Sequence, residues 1–317
     1  MEHNRHNIVD NAQNILTQLR KVIVGKDSVL LWTLAAILAK GHILLEDIPG
    51  VGKTTMAVAF SRVLGLDYNR VQFTPDVLPS DITGYSVLNQ ATGAMEYRRG
   101  AVLCNLFLAD ELNRATSRTQ SALLEAMEER QVTVDGVSHS VPTPFIVIAT
   151  QNPTGAAGTQ LLPDSQIDRF MVSLSLGYPD PKDEVTMLLQ RQGKDPMEDL
   201  QPIVTAAELA QMQQTVAQTF VSQEIAAYIV DLVDATRRSS LLLRGVSPRA
   251  TLALAAVSKA IARLRGRDYV VPKDVQESFV TTMAHRLQPS AEAEGQGMNI
   301  EQVLKTILGK VAAPKLR

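Results

Sequence analysis

The stretch between residues 42 and 64 constrains the fold of this chain more than any other. His42–Glu46 is a short apolar run, and Lys53–Leu64 has a helical pattern. Between them lies Glu46-Asp47-Ile48-Pro49-Gly50-Val51-Gly52-Lys53-Thr54-Thr55, a glycine-rich segment that ends in lysine and threonine. Such a loop, placed after a strand and before a helix, holds nucleotide phosphates on backbone N–H groups and on the positive end of the helix dipole. The segment therefore predicts an α/β nucleotide-binding domain.

Each residue type in this loop has a chemical purpose. Gly50 and Gly52 keep side chains away from the phosphates, Lys53 supplies a cation for the β- and γ-phosphates, and Thr54 offers a hydroxyl to Mg²⁺. The generic pattern has a glycine where this chain has Asp47. The predicted nucleotide-contacting residues of the loop are Pro49, Gly50, Val51, Gly52, Lys53, Thr54 and Thr55.

Polar residues follow two later strand patterns. Asp110 and Glu111 end the apolar run Cys104–Ala109, and in P-loop ATPases such an acid holds Mg²⁺ while a second can orient and deprotonate the attacking water. The alternative is a strand that ends in a solvated turn. Asn152 follows the run Pro144–Ala149 and would lie beside the γ-phosphate, although Asn152-Pro153 alone is also a common turn.

Short apolar runs alternate with helical patterns in the first half of the chain. Tyr68–Phe73 and Phe170–Leu176 complete the set of strand candidates, and the alternation predicts a parallel sheet covered by helices. After Tyr178-Pro179-Asp180-Pro181 only helical patterns remain. We therefore predict an α/β domain over residues 1–181 and an all-helical domain over residues 182–317.

Capping signals mark where several helices begin. Ser117 with Gln120 predicts a capping box for a helix over Arg118–Arg130, and Thr205 with Glu208 predicts another. N-cap residues for later helices are predicted at Ser222 and Ser247, and further helix starts at Pro272 and Asn299.

Composition narrows the possible partners and locations. The 317 residues include 31 Lys+Arg and 33 Asp+Glu, a net charge of −2, which gives no electrostatic case for nucleic-acid binding. The one cysteine, Cys104, excludes an internal disulfide and a multi-cysteine zinc site. The apolar stretch Val29–Ala39 is shorter than the ~20 residues of a membrane span. We expect a cytoplasmic protein without a membrane span.

Several longer stretches together resemble the AAA+ ATPases, and specifically the MoxR family, over about residues 15–290. The most specific are EDIPGVGKT, QFTPDVLPSDITG, LADELNRA, TQSALLEAMEERQVTVDG, IATQNP, LPDSQIDRF and SPRA. The chain departs from the family pattern at Arg99, Leu112, Thr116-Ser117-Arg118 and Asp164. None of these departures removes a catalytic group.

The resemblance implies a P-loop AAA+ fold, a parallel sheet flanked by helices with a smaller all-α lid, that binds ATP and Mg²⁺. Lys53 and Thr54 would belong to Walker A, Asp110 and Glu111 to Walker B, and Asn152 would be sensor 1. The segment Val24-Gly25 would line the adenine pocket. Residues 84–100 would form an insertion, and residues 132–141 a hairpin.

The resemblance also implies roles for arginines outside the P-loop. Arg169 would be the arginine finger that reaches the γ-phosphate of a neighbouring subunit, and Arg249 would be sensor 2 on the lid. Arg114 would be a further contact between subunits. The residues alone leave other interpretations open: Arg169 could form a local ion pair with Asp168 or Asp164, and Arg249 could be a plain exposed arginine.

The function implied by the resemblance is ATP-driven, chaperone-like remodelling or maturation of a client protein by a homo-oligomeric ring, a hexamer. A protein with a von Willebrand A domain is the expected partner. One alternative is a DNA-acting or chelatase-type motor of the same branch. Another is a nucleotide-binding scaffold that does not hydrolyse ATP.

Overall fold

The computed structural model describes residues 2–152, 162–190, 192–193 and 195–315. Pro153, part of the predicted sensor motif, lies outside these residues. Within the described ranges, no helix combines the length and the apolar character needed to cross a lipid bilayer.

Five of the strands form one parallel sheet, in the order β2-β5-β8-β1-β9. The other four pair as two antiparallel hairpins, β3-β4 and β6-β7. The strands are β1 Ile43–Glu46, β2 Tyr68–Gln72, β3 Gly84–Leu88, β4 Met95–Arg99, β5 Leu106–Asp110, β6 Gln131–Val134, β7 Val137–Ser140, β8 Ile146–Gln151 and β9 Val172–Leu174.

Helices cover the sheet and make up most of the second half. They are α1 Glu2–Arg20, α2 Asp27–Leu38, α3 Lys53–Val63, α4 Pro79–Thr83, α5 Ser117–Glu129, α6 Asp164–Ile167, α7 Pro181–Gln190, α8 Ala206–Ala217, α9 Gln223–Arg238, α10 Pro248–Leu264, α11 Pro272–Met283, α12 Ala291–Gly295 and α13 Ile300–Lys310. The predicted α/β class with a helical lid is confirmed, and the predicted strands differ from the observed ones by one to two residues at most ends.

The strand order brings the polar strand ends together. β8 lies between β5 and β1, and all three run in the same direction. The segments that follow β1, β5 and β8 therefore meet at one edge of the sheet, which is where ligands bind in open α/β sheets. This edge carries the P-loop, the Asp110-Glu111 pair and Asn152.

The apolar stretch near the start of the chain is a core helix. Seven of the twelve residues of α2 are buried, including Leu34, Ile37 and Leu38, and the helix packs in the same core as α1 and α3. A helix that is apolar around its whole circumference belongs in a core and has no polar face to reveal its period. That is why the sequence did not predict α2 as an amphipathic helix.

The two halves of the chain share one long helix. Leu254 of α10 packs in the core of the lid, with α9, α11 and α13. Val257 and Ile261 of the same helix pack in the core under the sheet, as do buried side chains of α8. The predicted boundary after residue 181 stays a prediction.

The insertion and the second hairpin are both present and touch each other. The insertion hairpin is β3-β4 and the second hairpin is β6-β7. Tyr97 of the first stacks on His139 of the second, with ring centroids 3.7 Å apart and planes 10° from parallel. Leu88 and Met95 on the insertion hairpin and Val137 on the second hairpin are exposed.

One predicted capping box is wrong. The N-cap of α5 is Thr116, whose hydroxyl accepts the N–H of Thr119 at 3.3 Å, and Ser117 is already inside the helix. Gln120 does not reach back to the N-cap; its amide donates to the carbonyls of Leu112 and Ala115. Thr116 stands one residue earlier, and its hydroxyl can accept the same kind of capping hydrogen bond. The sequence pattern therefore does not distinguish a helix capped by Thr116 from one capped by Ser117. The caps predicted at Thr205, Ser222 and Ser247 are confirmed, and Asn299, predicted as the start of a helix, is the N-cap of α13.

The hydroxyl of Thr116 should contribute to the stability of the fold, because it caps α5. Thr116→Ala removes the hydroxyl that caps α5 and should lower the free energy of unfolding by about 1 kcal/mol. Ser117→Ala is the matched control and should have little effect, because no side-chain cap bond is lost. Urea unfolding of both variants measures the difference, and the reverse ranking would restore Ser117 as the cap.

Candidate active site

The P-loop owes its shape to backbone conformation. Gly50 and Gly52 have φ angles of 89° and 99°, in the region that residues with a Cβ rarely adopt. A Cβ built on either glycine would meet no protein atom within 4 Å. The glycines are therefore required by the turn itself, and they leave open the space that a phosphate would need.

Asp47, the departure from the generic P-loop, ties the loop to the end of β9. Its carboxylate accepts hydrogen bonds from the Ser175 hydroxyl at 2.8 Å and from the N–H groups of Leu176 and Gly177 at 2.5 and 3.0 Å. Because the side chain is buried, these bonds satisfy a charge that water does not reach. A glycine could not make this connection, which explains why the loop tolerates an acid here.

The Lys53 ammonium lies inside the P-loop. It donates to the carbonyls of Asp47 at 2.6 Å and Ile48 at 3.3 Å. Burial lowers the pKa of Lys53 from its usual value, while the nearby carboxylates of Asp47, Asp110 and Glu111 oppose that effect. Lys53 is thus a cation at the start of α3, at the position where the β- and γ-phosphates are expected.

A cavity of about 600 Å³ opens beside the P-loop. Its other wall is Tyr178, Pro179 and α7, which contributes Glu184 and Leu188. A smaller adjoining pocket of about 60 Å³ is lined by Val24 and its neighbours, by Thr55 and by Pro179. Pockets of this combined size and mixed lining suit a nucleoside. Val24 lines the smaller pocket, and its predicted contact with adenine stays a prediction.

Gly25 allows the close approach that closes this pocket. Its φ is 71°, and a Cβ there would collide with the Asp183 carboxylate of α7. Lys26 next to it donates to the Tyr178 carbonyl at 2.8 Å. The segment before α2 is therefore held against the chain around Tyr178 and Asp183. Both segments line the smaller pocket.

The oxygens expected to bind Mg²⁺ face each other. The Thr54 hydroxyl lies 3.5 Å from Oδ2 of Asp110. Adjacent oxygens on an octahedral Mg²⁺ stand about 3 Å apart when each is ~2.1 Å from the metal, so the pair fits this ion after a small closure. Among the described residues no cluster of three or more His, Cys, Asp or Glu side chains could hold a metal. A site with one carboxylate, one hydroxyl and substrate phosphates is the usual arrangement for Mg²⁺.

Arg70 binds the same carboxylate oxygen. Its Nη2 and Nε lie 2.7 and 3.2 Å from Oδ2 of Asp110, and Nη2 also donates to Gln72. The Arg70 side chain is 43% exposed, so it can leave without a large loss of packing. No local pattern in the sequence marks Arg70, because only the pairing of β2 with β5 brings it to Asp110.

The Glu111 carboxylate is held by two side chains of its own chain. Its backbone is left-handed, with φ 54° and ψ 47°, a conformation that costs about 1–3 kcal/mol for a residue other than glycine. Arg114 donates to Oε2 at 2.7 Å, and Asn152 donates to Oε1 at 3.2 Å. The hydrogen bond from Arg114 lowers the pKa of Glu111, so this carboxylate is ionised at neutral pH. Arg114, predicted at a subunit contact, pairs here within its own chain.

The Thr150 hydroxyl joins the two acidic residues. It donates to Oδ1 of Asp110 at 2.7 Å and accepts the N–H of Glu111 at 2.8 Å. Thr150 is fully buried, and its bond to Asp110 is buried as well. Its position, directly after the apolar run Pro144–Ala149 and two residues before Asn152, is the signal by which the sequence could have revealed it.

Arg169 and Arg249 lie together, away from the P-loop. Both line a cavity of about 300 Å³, here called the arginine cavity, whose wall also includes residues 40–42. Those residues precede β1, whereas the P-loop follows it, and β1 spans about 13 Å at ~3.3 Å per residue. Neither arginine lines the cavity beside the P-loop. The cationic side chains of the arginine cavity are Lys40, Arg130, Arg169, Arg249 and Arg286.

The residues alone allowed a local ion pair between Arg169 and Asp168 or Asp164, and the observed contacts of Arg169 are different. The Arg169 guanidinium donates to the Leu124 carbonyl at 2.6 Å, whereas Asp168 pairs with Arg286 and Asp164 with Arg244. The described contacts therefore do not include a local ion pair between Arg169 and either acid. Arg249 pairs with Glu128 at 2.6 Å and is only partly exposed.

The fold and the P-loop site define a nucleotide-binding ATPase domain, and comparisons with known proteins agree. Residues 42–172 match the family model described as "ATPase family associated with various cellular activities (AAA)", and residues 234–307 match the AAA lid domain. A crystal structure of a candidate ATPase from Cytophaga hutchinsonii aligns with a TM-score of 0.90 and 36% identity, over 99% of this chain and 98% of that one.

Two curated relatives specify the family. Chaperone MoxR1 of Mycobacterium tuberculosis is 38% identical over 97% of this chain and 84% of its own length. Protein MoxR of Methylorubrum extorquens is 30% identical over 96% of each. The chain belongs to the MoxR family of AAA+ ATPases, as the resemblance predicted.

The Thr150 junction can be tested by stability. Thr150→Val keeps the shape but leaves the buried N–H of Glu111 without its acceptor, and should lower the free energy of unfolding by about 1–3 kcal/mol. Thr33→Val is the matched control, because the buried Thr33 hydroxyl has no hydrogen-bond partner among the described residues. That variant should be neutral or stabilising in urea unfolding. Equal losses in both variants would show that the two bonds of Thr150 contribute nothing.

Proposed function

We propose that this protein hydrolyses ATP with Mg²⁺ at the P-loop edge of the sheet. The observation that carries this proposal is the convergence of Lys53, Thr54, Asp110 and Glu111. Their contacts run from the P-loop through the hydroxyl of Thr54 to Asp110, and from Asp110 through Thr150 to Glu111. A scaffold that only binds a nucleotide has no need of Glu111 in this position.

The proposed roles follow from charge and hydrogen bonding. Lys53 neutralises phosphate charge, and Thr54 with Asp110 would hold Mg²⁺, which supplies further neutralisation of the transferred phosphoryl group when bound. Glu111, ionised because its pKa is lowered, can accept a proton from the attacking water. Arg114 donates a hydrogen bond to the same carboxylate and so competes with the attacking water. Glu111 can therefore accept a proton from water only when Arg114 turns away. Asn152 orients the Glu111 side chain.

The arginine cavity supports a composite active site. Arg169 and Arg249 line a cavity with residues 40–42, at the opposite end of β1 from the P-loop of their own chain, and neither lines the cavity beside that P-loop. We propose that both reach the nucleotide of a neighbouring subunit in a homo-oligomeric ring of six. Arg249 would then act beside Arg169, and its ion pair with Glu128 would break when the neighbour's phosphates arrive.

We further propose chaperone-like remodelling of a client protein as the use of this energy. The relatives named for the family support it, and so do the exposed apolar side chains on the two hairpins, since exposed apolar residues favour contact with unfolded segments. Because Tyr97 stacks on His139, a client contact that moves one hairpin would also move the other. The proposed setting is the cytoplasm, with a von Willebrand A domain protein as partner; the client is unidentified.

The composite site has a direct test in mixed rings. Glu111→Gln should bind ATP but not hydrolyse it, and Arg169→Ala should bind ATP with a rate loss of about 10³–10⁵. A mixture of the two inactive proteins should regain activity, because some interfaces pair an intact Glu111 with an intact Arg169. Phosphate release is measured against mixing ratio, after exchange of subunits has been demonstrated.

Two results would contradict the proposal. Mixed rings without any regained activity would place Arg169 in its own subunit's site. A wild-type protein that forms rings and binds ATP, yet releases no phosphate, would favour the non-hydrolysing scaffold instead.

Competition between Arg70 and Mg²⁺ gives a separate prediction. Arg70 binds Oδ2 of Asp110, the carboxylate that would hold Mg²⁺, so Arg70→Gln should lower the Mg²⁺ concentration that half-saturates nucleotide binding. Arg70→Lys keeps the charge without the two-pronged contact and should fall between. Binding of a fluorescent ATP analogue, titrated with Mg²⁺, provides the measurement.

The matched control for that titration is Arg238→Gln, which breaks a surface ion pair with Asp234 far along α9. It should leave the Mg²⁺ requirement unchanged. A higher requirement in Arg70→Gln would mean that Arg70 helps to hold the metal site together.

A further inference from the structure

Arg286 is a buried arginine of the lid that contacts the α/β domain. It ends the 3₁₀ turn Ala284–Arg286 after α11 and is only 8% exposed. Its Nη2 donates to the carbonyl of Phe170 at 2.6 Å and to the carbonyl of Asp168 at 3.3 Å. Its Nε lies 3.2 Å from the Asp168 carboxylate. One side chain of the lid thus binds three oxygens of a short segment in the other half of the chain.

The residue enclosed by these contacts is Arg169. The two carbonyls that accept from Arg286 belong to the residues immediately before and after it. The Asp168 carboxylate also accepts the hydroxyl of Ser247 at 2.8 Å, and Ser247 is the N-cap of α10, which carries Arg249 two residues later. Arg169 and Arg249 are therefore attached to one network, and Arg286 is its central member.

Stability alone gives a weak reason for this arrangement. Burial lowers the pKa of Arg286 to about 10, against the opposing effect of Asp168, so the buried guanidinium stays charged at neutral pH. Its Nη1 and Nε have no hydrogen-bond partner in the described part of the chain, so the contact between Nε and the Asp168 carboxylate is an ion pair without a hydrogen bond. Replacing a buried ion pair by an apolar residue of similar volume is often neutral or stabilising. What an apolar residue cannot supply is an N–H donor, and Nη2 of Arg286 donates to the carbonyls on both sides of Arg169.

We propose that Arg286 is a positioning residue that fixes the backbone around Arg169, so that the Arg169 guanidinium meets the nucleotide of the neighbouring subunit. This inference rests on the proposed composite active site. It means that the lid of one subunit prepares the hydrolysis that occurs in the next. The lesion of an Arg286 variant must therefore appear in the neighbour's site and not in its own.

The test replaces Arg286 by methionine, which fills the space without donating. ATP binding to Arg286→Met should be close to wild type, while phosphate release falls by about 10²-fold, the cost of misplacing a reacting group by about 1 Å. Retention of ADP with aluminium fluoride, which depends on the finger arginine, should fall as it does in Arg169→Ala. Arg267→Met is the matched control: this lid arginine also binds a carboxylate, that of Asp274, but does not contact residues 168–170. It should change stability and leave hydrolysis in assembled rings unchanged.

Mixed rings then separate positioning from a general structural role. Arg286→Met mixed with Glu111→Gln should regain activity, and Arg286→Met mixed with Arg169→Ala should not, because both lesions lie on the same side of the interface. Wild-type hydrolysis in Arg286→Met rings, or recovery only with Arg169→Ala, would overturn the inference. If Arg286→Met does not fold, Arg286→Lys replaces it, with a smaller loss and the same pattern of recovery.

The outcomes also distinguish this inference from the proposed function. Recovery in the Arg169→Ala and Glu111→Gln mixture, without recovery in the Arg286→Met and Glu111→Gln mixture, would reject the role of Arg286 and keep the composite site. Recovery in neither mixture would reject the composite site itself.

Discussion

The hydroxyl of Thr150 is the contact on which the geometry of the candidate active site depends. It lies at the end of β8, the strand between β5 and β1, and bonds at once to the carboxylate of Asp110 and the backbone of Glu111. The left-handed conformation of Glu111 is costly, so it persists only where surrounding bonds define it. Because of this junction, the proposed metal-binding acid, Asp110, and the proposed base, Glu111, share one support, and the sheet order determines where both stand.

Local signals carried most of what the sequence could predict. The strand–loop–helix pattern around Lys53 and the acidic pair after an apolar strand each arise from neighbours in the chain, so their elements and their common edge were predictable. Helix starts were predictable for the same reason, since a cap is a contact over three residues. The error at Ser117 came from two adjacent hydroxyl residues that satisfy the same pattern, a choice that only the path of the preceding turn decides.

Contacts between distant segments were beyond the sequence. Arg70 reaches Asp110 across two paired strands, Arg286 reaches residues 168–170 from the far half of the chain, and Asp47 binds the end of β9. Each is an ordinary residue by type and has no local partner that marks it. The position of Arg249 is the clearest case: its motif predicted a lid arginine, but only the packing of α10 places it beside Arg169 and away from the P-loop of its own chain.

The shared helix α10 has a mechanical consequence. Since Leu254 packs in the lid and Ile261 packs under the sheet, the helix belongs to both hydrophobic cores. Unfolding of either core would remove packing contacts that stabilise α10. The two halves of the chain should therefore unfold in one cooperative step and not as separate units. The same coupling limits how the lid can move: a rotation of the lid that separated α10 from either core would expose apolar surface, because residues of both cores alternate along this helix.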